Sequence, residues 1–510
     1  MSTYGGRFLR PAVQHAAHGI TVIMETHNRK ALAFRRLNAK LNDERGGALV
    51  LFTKVPRAGL VKTRFVARSG APSSEEATFL YLHLLEDTLA AVSALKEELP
   101  ITLIVSFTPA EGEQTIKSLV ERYVAEATYL VQQGRDVTRK VRNAFDFAFN
   151  LGYRNVCLIP GDHPDLSGAL LAESFRILTS MGEGLRPAAV VGPTSDGGAY
   201  LIGFNKEGFH GIDFSLENTY KVCADVITKA RAKNVSYYIL ESRNDIDDWD
   251  DARLFLRSAE YRHTKTYSFL STLKMPASED AYEVSVVVPT LNEEKTISRS
   301  LKSVKASYGA DFETIVVDGS SSDSTAERAM SLADKLAFTR VASRKSQENT
   351  GAIAARGRVL LFLHADMLLP PNLLRDLVKA IDDPEVLGGS CTVVFEGEGF
   401  KLRFLDALRK VGGRLLRIHG ISSAFFVRRK AFLEVGGFRE GVMEEAVDLQ
   451  RRLRGRGKFV TIDQVVVSSS RRFQGRNSLF VAIIWVLTVA MTAIGLHFTS
   501  VERKLWKAVR

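Results

Sequence analysis

Cysteine is scarce: of 510 residues only Cys157, Cys223 and Cys391 carry thiols, far apart and without a CxxC or Cys/His cluster. The odd number excludes a self-contained disulfide framework and the spacing excludes structural zinc, so a reducing, cytoplasmic setting is expected. Nucleic-acid motifs are missing as well, with no zinc-finger spacing, no RNA-recognition aromatic motif and no evident helix-turn-helix. Nucleic acid is therefore not an expected partner, although 69 Lys and Arg outnumber 58 Asp and Glu for a net charge of +11. That excess attracts anions of other kinds, namely phosphorylated small molecules and anionic membrane surfaces. The longest apolar run of residues 1–46 is residues 19–24, too short for a secretory core, so a loosely ordered extension is expected there rather than a cleaved signal.

What is present is a globular composition, 45% apolar and 25% charged, on a chain too long for one ordinary core. Short continuous apolar runs at residues 48–53, 101–107, 156–159, 188–191 and 199–204 read as buried strands, with helical periodicity at 75–98 between the first two. A stretch of low periodicity at 258–282 reads as a linker. The pattern then restarts with strands at 284–288, 313–317 and 359–363. Alternating strands and helices predict two doubly wound α/β domains, 47–257 and 283–475, followed by a tail at 476–510. Each half also delivers an aspartate just beyond an apolar strand, Asp162 in the first and Asp366 in the second. In open α/β sheets that carboxyl edge is where ligands bind.

In the second half, Asp318 closes an apolar strand and opens the polar turn Gly319, Ser320, Ser321, Ser322, Asp323, Ser324, Thr325. A carboxylate ending a buried strand is costly without a partner, and such a turn can hydrogen-bond a nucleoside. The competing reading makes Asp323 or Ser324 a plain helix cap. His364, Ala365 and Asp366 follow the next strand. An aspartate there can hold Mg2+ or Mn2+, hard cations that favour oxygen ligands, or can cap the segment that follows.

The segments VVVPTLNEE (286–294), VVDGSSSDST (316–325), LLFLHADMLLPP (360–371), FFVRRKAFLEVGGF (425–438) and EEAVDLQRRLRGRG (444–457) together resemble the family 2 inverting glycosyltransferases of GT-A fold. The resemblance implies a nucleotide-sugar donor, a hydroxyl acceptor, and a donor site drawing on Pro289, Asn292, Glu293 and Asp318. It makes Asp366 similar to the metal-binding aspartate of the DxD motif, with His364 in place of the first aspartate. The family's Glu-Asp pair, whose Asp is the general base, meets a departure in this chain. An ungapped register through Asp448 puts Ala446 at the base position, whereas one inserted residue makes Glu444-Glu445 the pair and Glu445 the base. The alternative is that Glu444, Glu445 and Asp448 form a charged helix face paired with Arg451 and Arg452. Arg471 and Arg472 match, in part, the basic motif that holds diphosphate in some relatives.

In the first half, Lys54, Arg57, Lys62 and Arg64 gather just after the opening strand, where four cations can cradle phosphate or form a solvated loop. The stretch lacks the glycine spacing of a Walker A loop. With Asp162 in PGDHPDL and with Asp196, Gly197 and Gly198 in GPTSDGG, it resembles a family of small glycosyltransferase-like proteins related to nucleotidylyltransferases. That resemblance implies phosphate binding by the cations, a metal at Asp162 and substrate contact at Asp196–Gly198. The fusion suggests a second transferase, or a sugar-phosphate nucleotidylyltransferase that supplies the donor. A third reading, a non-catalytic membrane scaffold with decayed sites, draws on Ala446 and on the uncharged stretch 478–498. Twenty-one helical residues reach roughly 31 Å, about one bilayer core, so the stretch could span a membrane or lie on its cytoplasmic face, and a lipid-linked acceptor would suit either.

Overall fold

The computed structural model describes residues 46–66, 73–275, 280–396, 424–442 and 444–469. Its first domain has seven strands: β1 (Gly47–Lys54), β2 (Thr102–Thr108), β3 (Thr128–Val131), β4 (Asn155–Pro160), β5 (Ala188–Pro193), β6 (Ala199–Asn205) and β7 (Ser236–Ile239). Eight more form the second: β8 (Tyr282–Thr290), β9 (Phe312–Asp318), β10 (Lys335–Phe338), β11 (Gly357–Leu363), β12 (Met367–Leu368), β13 (Val386–Phe395), β14 (Ala424–Arg428) and β15 (Lys458–Ser468). The strand order is β3-β2-β1-β4-β6-β5-β7 in one sheet and β10-β9-β8-β11-β14-β13-β15-β12 in the other. Apart from the short β12, these are the same order. The sense of each pairing also matches: β6 is antiparallel to β4 and β5 as β14 is to β11 and β13, and the other shared pairings are parallel. The expected class, two tandem α/β domains, is what the chain has.

Both sheets are covered on their two faces, which is why their central strands read as unbroken apolar runs. Leu49 and Leu51 of β1 face the long helix Ser74–Glu98 through Tyr81, Leu85, Leu89 and Val92. Ser73 starts that helix with a reciprocal capping box: its hydroxyl accepts from the Glu76 amide at 3.1 Å, and the Glu76 carboxylate accepts from the Ser73 amide at 2.8 Å. Ala48 and Val50 face the opposite side with Val141, Phe145 and Phe149 of helix Val137–Asn150. In the second domain Val286 and Val288 pack with helix Ile297–Lys305, while Val287 packs with helix Arg344–Ala354.

Much of the stretch expected to be linker, 258–282, is folded. Helix Lys265–Leu270 buries Leu270 against the first domain, and its first amides donate to Asp87 at 2.9 and 2.8 Å. Its six residues are too few to show helical periodicity in sequence.

The domains are docked through charge. Arg356 reaches Asp248 at 3.1 Å and Asp251 at 2.6 Å, and Arg429 reaches Asp250 at 3.1 Å. The acidic stretch ending the first domain is thus largely an interdomain clamp, and removing one partner of such a buried pair leaves an uncompensated charge. Among the described residues no helix is long and apolar enough to cross a membrane, and residues 478–498 lie outside the described part.

Candidate functional site

Corresponding glutamines fix a register between the two domains. Gln132 donates to the carbonyls of Thr53 and Ser106, both at 3.0 Å, and Gln347 donates to those of Thr290 at 2.7 Å and Val317 at 2.9 Å. Thr53 pairs with Phe107 across β1 and β2 as Thr290 pairs with Asp318 across β8 and β9. Phe107 therefore stands where the second domain has Asp318. The same superposition, carried through the pairs Val50–Leu158 and Val287–Phe362, brings Asp162 onto Asp366. The first domain keeps the strand-end aspartate of one position and has a phenylalanine at the other.

Asp318 is fully buried. Its Oδ1 accepts from the Ser321 amide at 2.6 Å, and its Oδ2 has no protein partner. Burial pushes its pKa up to about 6. The turn after it is stapled to the loop after β8. The Asn292 amide donates to the Ser321 hydroxyl at 2.9 Å, the Asn292 side-chain oxygen accepts from the Ser322 amide at 2.8 Å, and the Glu293 amide donates to Thr325 Oγ1 at 2.8 Å. Asn292 and Ser320 hold positive φ, 54° and 66°, a conformation non-glycine residues keep only when their surroundings impose it. Pro289, the residue before Thr290 in β8, precedes this loop. The walls are formed by backbone, and the unsatisfied oxygen of Asp318 supplies an acceptor.

Asp366 lies half-buried just past β11, on a cavity lined also by Lys295, Thr296, Arg299, Glu396 and Ser469. Glu396 pairs with Arg299 at 3.0 Å, and a carboxylate with access to a cavity, as Asp366 has, suits Mg2+ or Mn2+, which complete their shell with substrate phosphate and water. Among the described residues no group of three His, Cys, Asp or Glu gathers to hold a metal by protein ligands alone. His364 comes within 3.4 Å of Arg344, the first residue of helix Arg344–Ala354. Arg344 in turn pairs with Glu445 and lies 3.9 Å from Glu348. Burial, then the charge of Glu445, pushes Glu348 up to about 8, whereas Glu445, foremost, holds the Arg344 guanidinium above its ordinary value. Glu445 Oε2 has no hydrogen-bond partner.

Helix Glu445–Leu453 sorts the remaining acidic residues. Ala446 turns toward the apolar cluster of Val287, Phe362 and Phe432. Asp448 is buried and accepts from Arg451 at 3.1 Å and Arg452 at 2.8 Å, and Arg452 also donates to the Val435 and Gly437 carbonyls. Asp448 therefore anchors the glycine turn. Glu444 precedes the helix as its cap residue. Arg471 and Arg472 lie outside the described residues.

In the first domain the four cations do not gather into one phosphate cradle, because Lys62 and Arg64 are held by acidic residues. Lys62, only 4% exposed at its side chain and at φ 44°, lies 2.7 Å from Asp162 and 3.1 Å from Asp247. Arg64 pairs with Asp247 at 3.0 Å. Burial works against the charges of Lys62 and Asp162, yet each holds the other ionised: the ammonium above its usual range, the carboxyl below. An ammonium at hydrogen-bond distance from Asp162 Oδ2 competes with a divalent cation for that oxygen. Lys54 donates to the Leu60 carbonyl at 3.3 Å on the exposed loop that also carries Arg57. Asp196 holds its own turn, accepting from Thr194 at 2.5 Å and from the Gly198 amide at 3.1 Å. Gly197, at φ 100°, presses against the carbonyls of Tyr220 and Leu336, so any side chain there would collide with the domain interface.

Sequence reasoning missed Arg344, Glu348 and Gln347. One signal was available: Arg344 and Lys345 open a helix with no acidic residue in its first turn, where the helix dipole disfavours cations. A cation in that position implies a carboxylate from elsewhere.

Residues 285–437 match the model of the Glycosyl transferase family 2, and residues 91–216 match that of an uncharacterized protein family conserved in bacteria. An uncharacterized protein of Mycobacterium tuberculosis is 28% identical over 185 residues, 32% of this chain and 58% of that one. A dolichol-phosphate mannosyltransferase of Pyrococcus furiosus is 30% identical over 167 residues, 30% of this chain and 47% of that one. The chain thus spans about half the length of these two relatives. A putative nucleotide-diphospho-sugar transferase of Desulfovibrio desulfuricans aligns over 44% of this chain and 94% of its own at 26% identity, with a TM-score of 0.37.

Proposed function

We propose that this chain, which carries a glycosyl transferase family 2 domain over residues 285–437, moves a sugar from a nucleotide diphosphate donor to an acceptor hydroxyl with inversion at the anomeric carbon. The observation that carries the reading is the arrangement of the second sheet's carboxyl edge. It presents a buried acceptor with a vacant oxygen at Asp318, a cavity-facing carboxylate at Asp366, and an acid reached through His364 and Arg344 at Glu445.

In this reading Asp318 and the loop of Pro289, Asn292 and Glu293 hold the nucleoside. Asp366, with His364 beside it, would hold Mg2+ or Mn2+, whose chemistry is to neutralise charge on the departing diphosphate. Glu445 takes the proton from the acceptor hydroxyl as that oxygen attacks. Arg344 orients Glu445, and Glu348, raised by burial and by Glu445, is the neutral member of the acid pair near pH 7. Two observations favour Glu445 over the register that leaves the base position empty: Ala446 faces the apolar core and Glu445 faces Arg344.

The first domain has Phe107 where the second has Asp318, and Lys62 bound to the counterpart of Asp366. Those substitutions count against metal-assisted nucleotidyl transfer there and favour the second domain as the transfer site. One relative, an Escherichia coli glucosyltransferase, is named for an acceptor linked to diphosphoundecaprenol, which agrees with a lipid-linked hydroxyl acceptor for this chain, at the cytoplasmic face of a membrane.

The test is incubation of the full chain with Mn2+ and mixed pools of nucleotide sugars, nucleoside triphosphates and sugar phosphates, followed by phosphorus NMR. Nucleoside diphosphate is the expected product. Pyrophosphate appearing alone would transfer the assignment to nucleotidyl transfer.

A further inference from the structure

Arg231, near the end of helix Val222–Ala232 in the first domain, reaches into the second domain at the turn that carries Asp318. Its guanidinium donates to the Ser321 carbonyl, to the Asp323 carbonyl at 2.9 Å and toward Glu327 at 3.5 Å. The fourth contact, Nε to the Tyr237 hydroxyl at 2.7 Å, fixes the guanidinium from its own domain. A planar fork gripping two carbonyls of one backbone turn constrains direction as well as charge.

Ser321 makes this contact consequential. Its amide donates to Asp318 Oδ1, its hydroxyl accepts from the Asn292 amide, and its carbonyl accepts from Arg231. Every polar group of one residue is thereby committed, each to a different part of the pocket. Ser320, immediately before it, sits at φ 66°, which the surrounding bonds must hold in place. We infer that Arg231 is a positioning residue for the donor site of the second domain, so that the nucleotide pocket takes its binding shape in part from a side chain of the first domain. The inference rests on the donor-site reading given above.

The experiment is calorimetric titration of UDP and of GDP, each with Mn2+, into the full chain and its variants. Arg231→Ala removes a charged donor from two backbone carbonyls and is expected to weaken nucleotide binding roughly 10- to 100-fold. Arg231→Lys keeps the charge without the fork and is expected to recover part of the loss. Arg429→Ala breaks the interdomain pair with Asp250, away from the turn, and should leave binding within twofold, or roughly the measurement's spread, of wild type. Wild-type affinity in Arg231→Ala, or an equal loss in Arg429→Ala, overturns the inference. Asp318→Ala separates the two claims. If it abolishes binding while Arg231→Ala does not, only the inference fails; if it binds as wild type, or if wild type binds neither nucleotide, the donor-site reading fails with it.

Discussion

Replacing Asp318 by asparagine should make the protein more stable and a worse nucleotide binder at once. The carboxylate is fully buried, one oxygen has no partner, and burial raises its pKa from 3.8 to about 6. A raised acid pKa means that the folded state holds the proton more tightly than the unfolded one. The ionised group therefore destabilises the fold above pH 6, and the penalty fades as pH falls toward 4. Roughly two pKa units correspond to about 3 kcal/mol at pH 8, the upper limit of what an isosteric neutral side chain can recover. Asparagine can still accept from the Ser321 amide, so the turn should survive. Urea unfolding of wild type and Asp318→Asn at pH 8, 6 and 4 measures the gap, which should be widest at pH 8 and close toward pH 4. A variant equally or less stable at pH 8 would refute the reasoning, because it would mean that the vacant oxygen is already compensated. Sites built for function commonly carry such local destabilisation.

Glu445→Gln should lower kcat by about 10²- to 10⁴-fold with donor KM little changed, as expected for loss of a general base, measured by nucleoside diphosphate release. Asp448→Ala should destabilise the second domain by about 3–5 kcal/mol in urea unfolding, because Arg451 and Arg452 would lose the buried carboxylate between them. Lys62→Met should lower the thermal midpoint, and Mn2+ should raise it in the variant but not in wild type, since Asp162 would then lack its cation and Asp247 would keep only Arg64.

The strands and their carboxyl-edge aspartates were legible because a strand buried on both faces is written as a continuous apolar run and its end as the first charge after it. Asp318 and Asp366 follow from that rule alone. The shared plan of the two halves was visible as strand followed by aspartate, but Phe107 at the position of Asp318 emerges only from strand register. The basic cluster of the first domain looked like a phosphate cradle because its acidic partners are remote. Asp162 and Asp247 lie 100 and 185 residues from Lys62 in sequence, and nothing local marks the pairing. Arg231 is likewise indistinguishable from the neighbouring Lys229 and Lys233 until the domains dock. The base position was narrowed to two registers, and the packing that favours Glu445, with Ala446 against the apolar cluster and Glu445 toward Arg344, has no mark in the sequence.

The central claim, that sugar transfer occurs at the second sheet's carboxyl edge, is tested most directly by comparing Asp366→Asn with Asp162→Asn in one assay of nucleoside diphosphate release. The account predicts that release is lost in Asp366→Asn and persists in Asp162→Asn. Release that survives in the first and disappears in the second would contradict it and place the transfer site in the first domain.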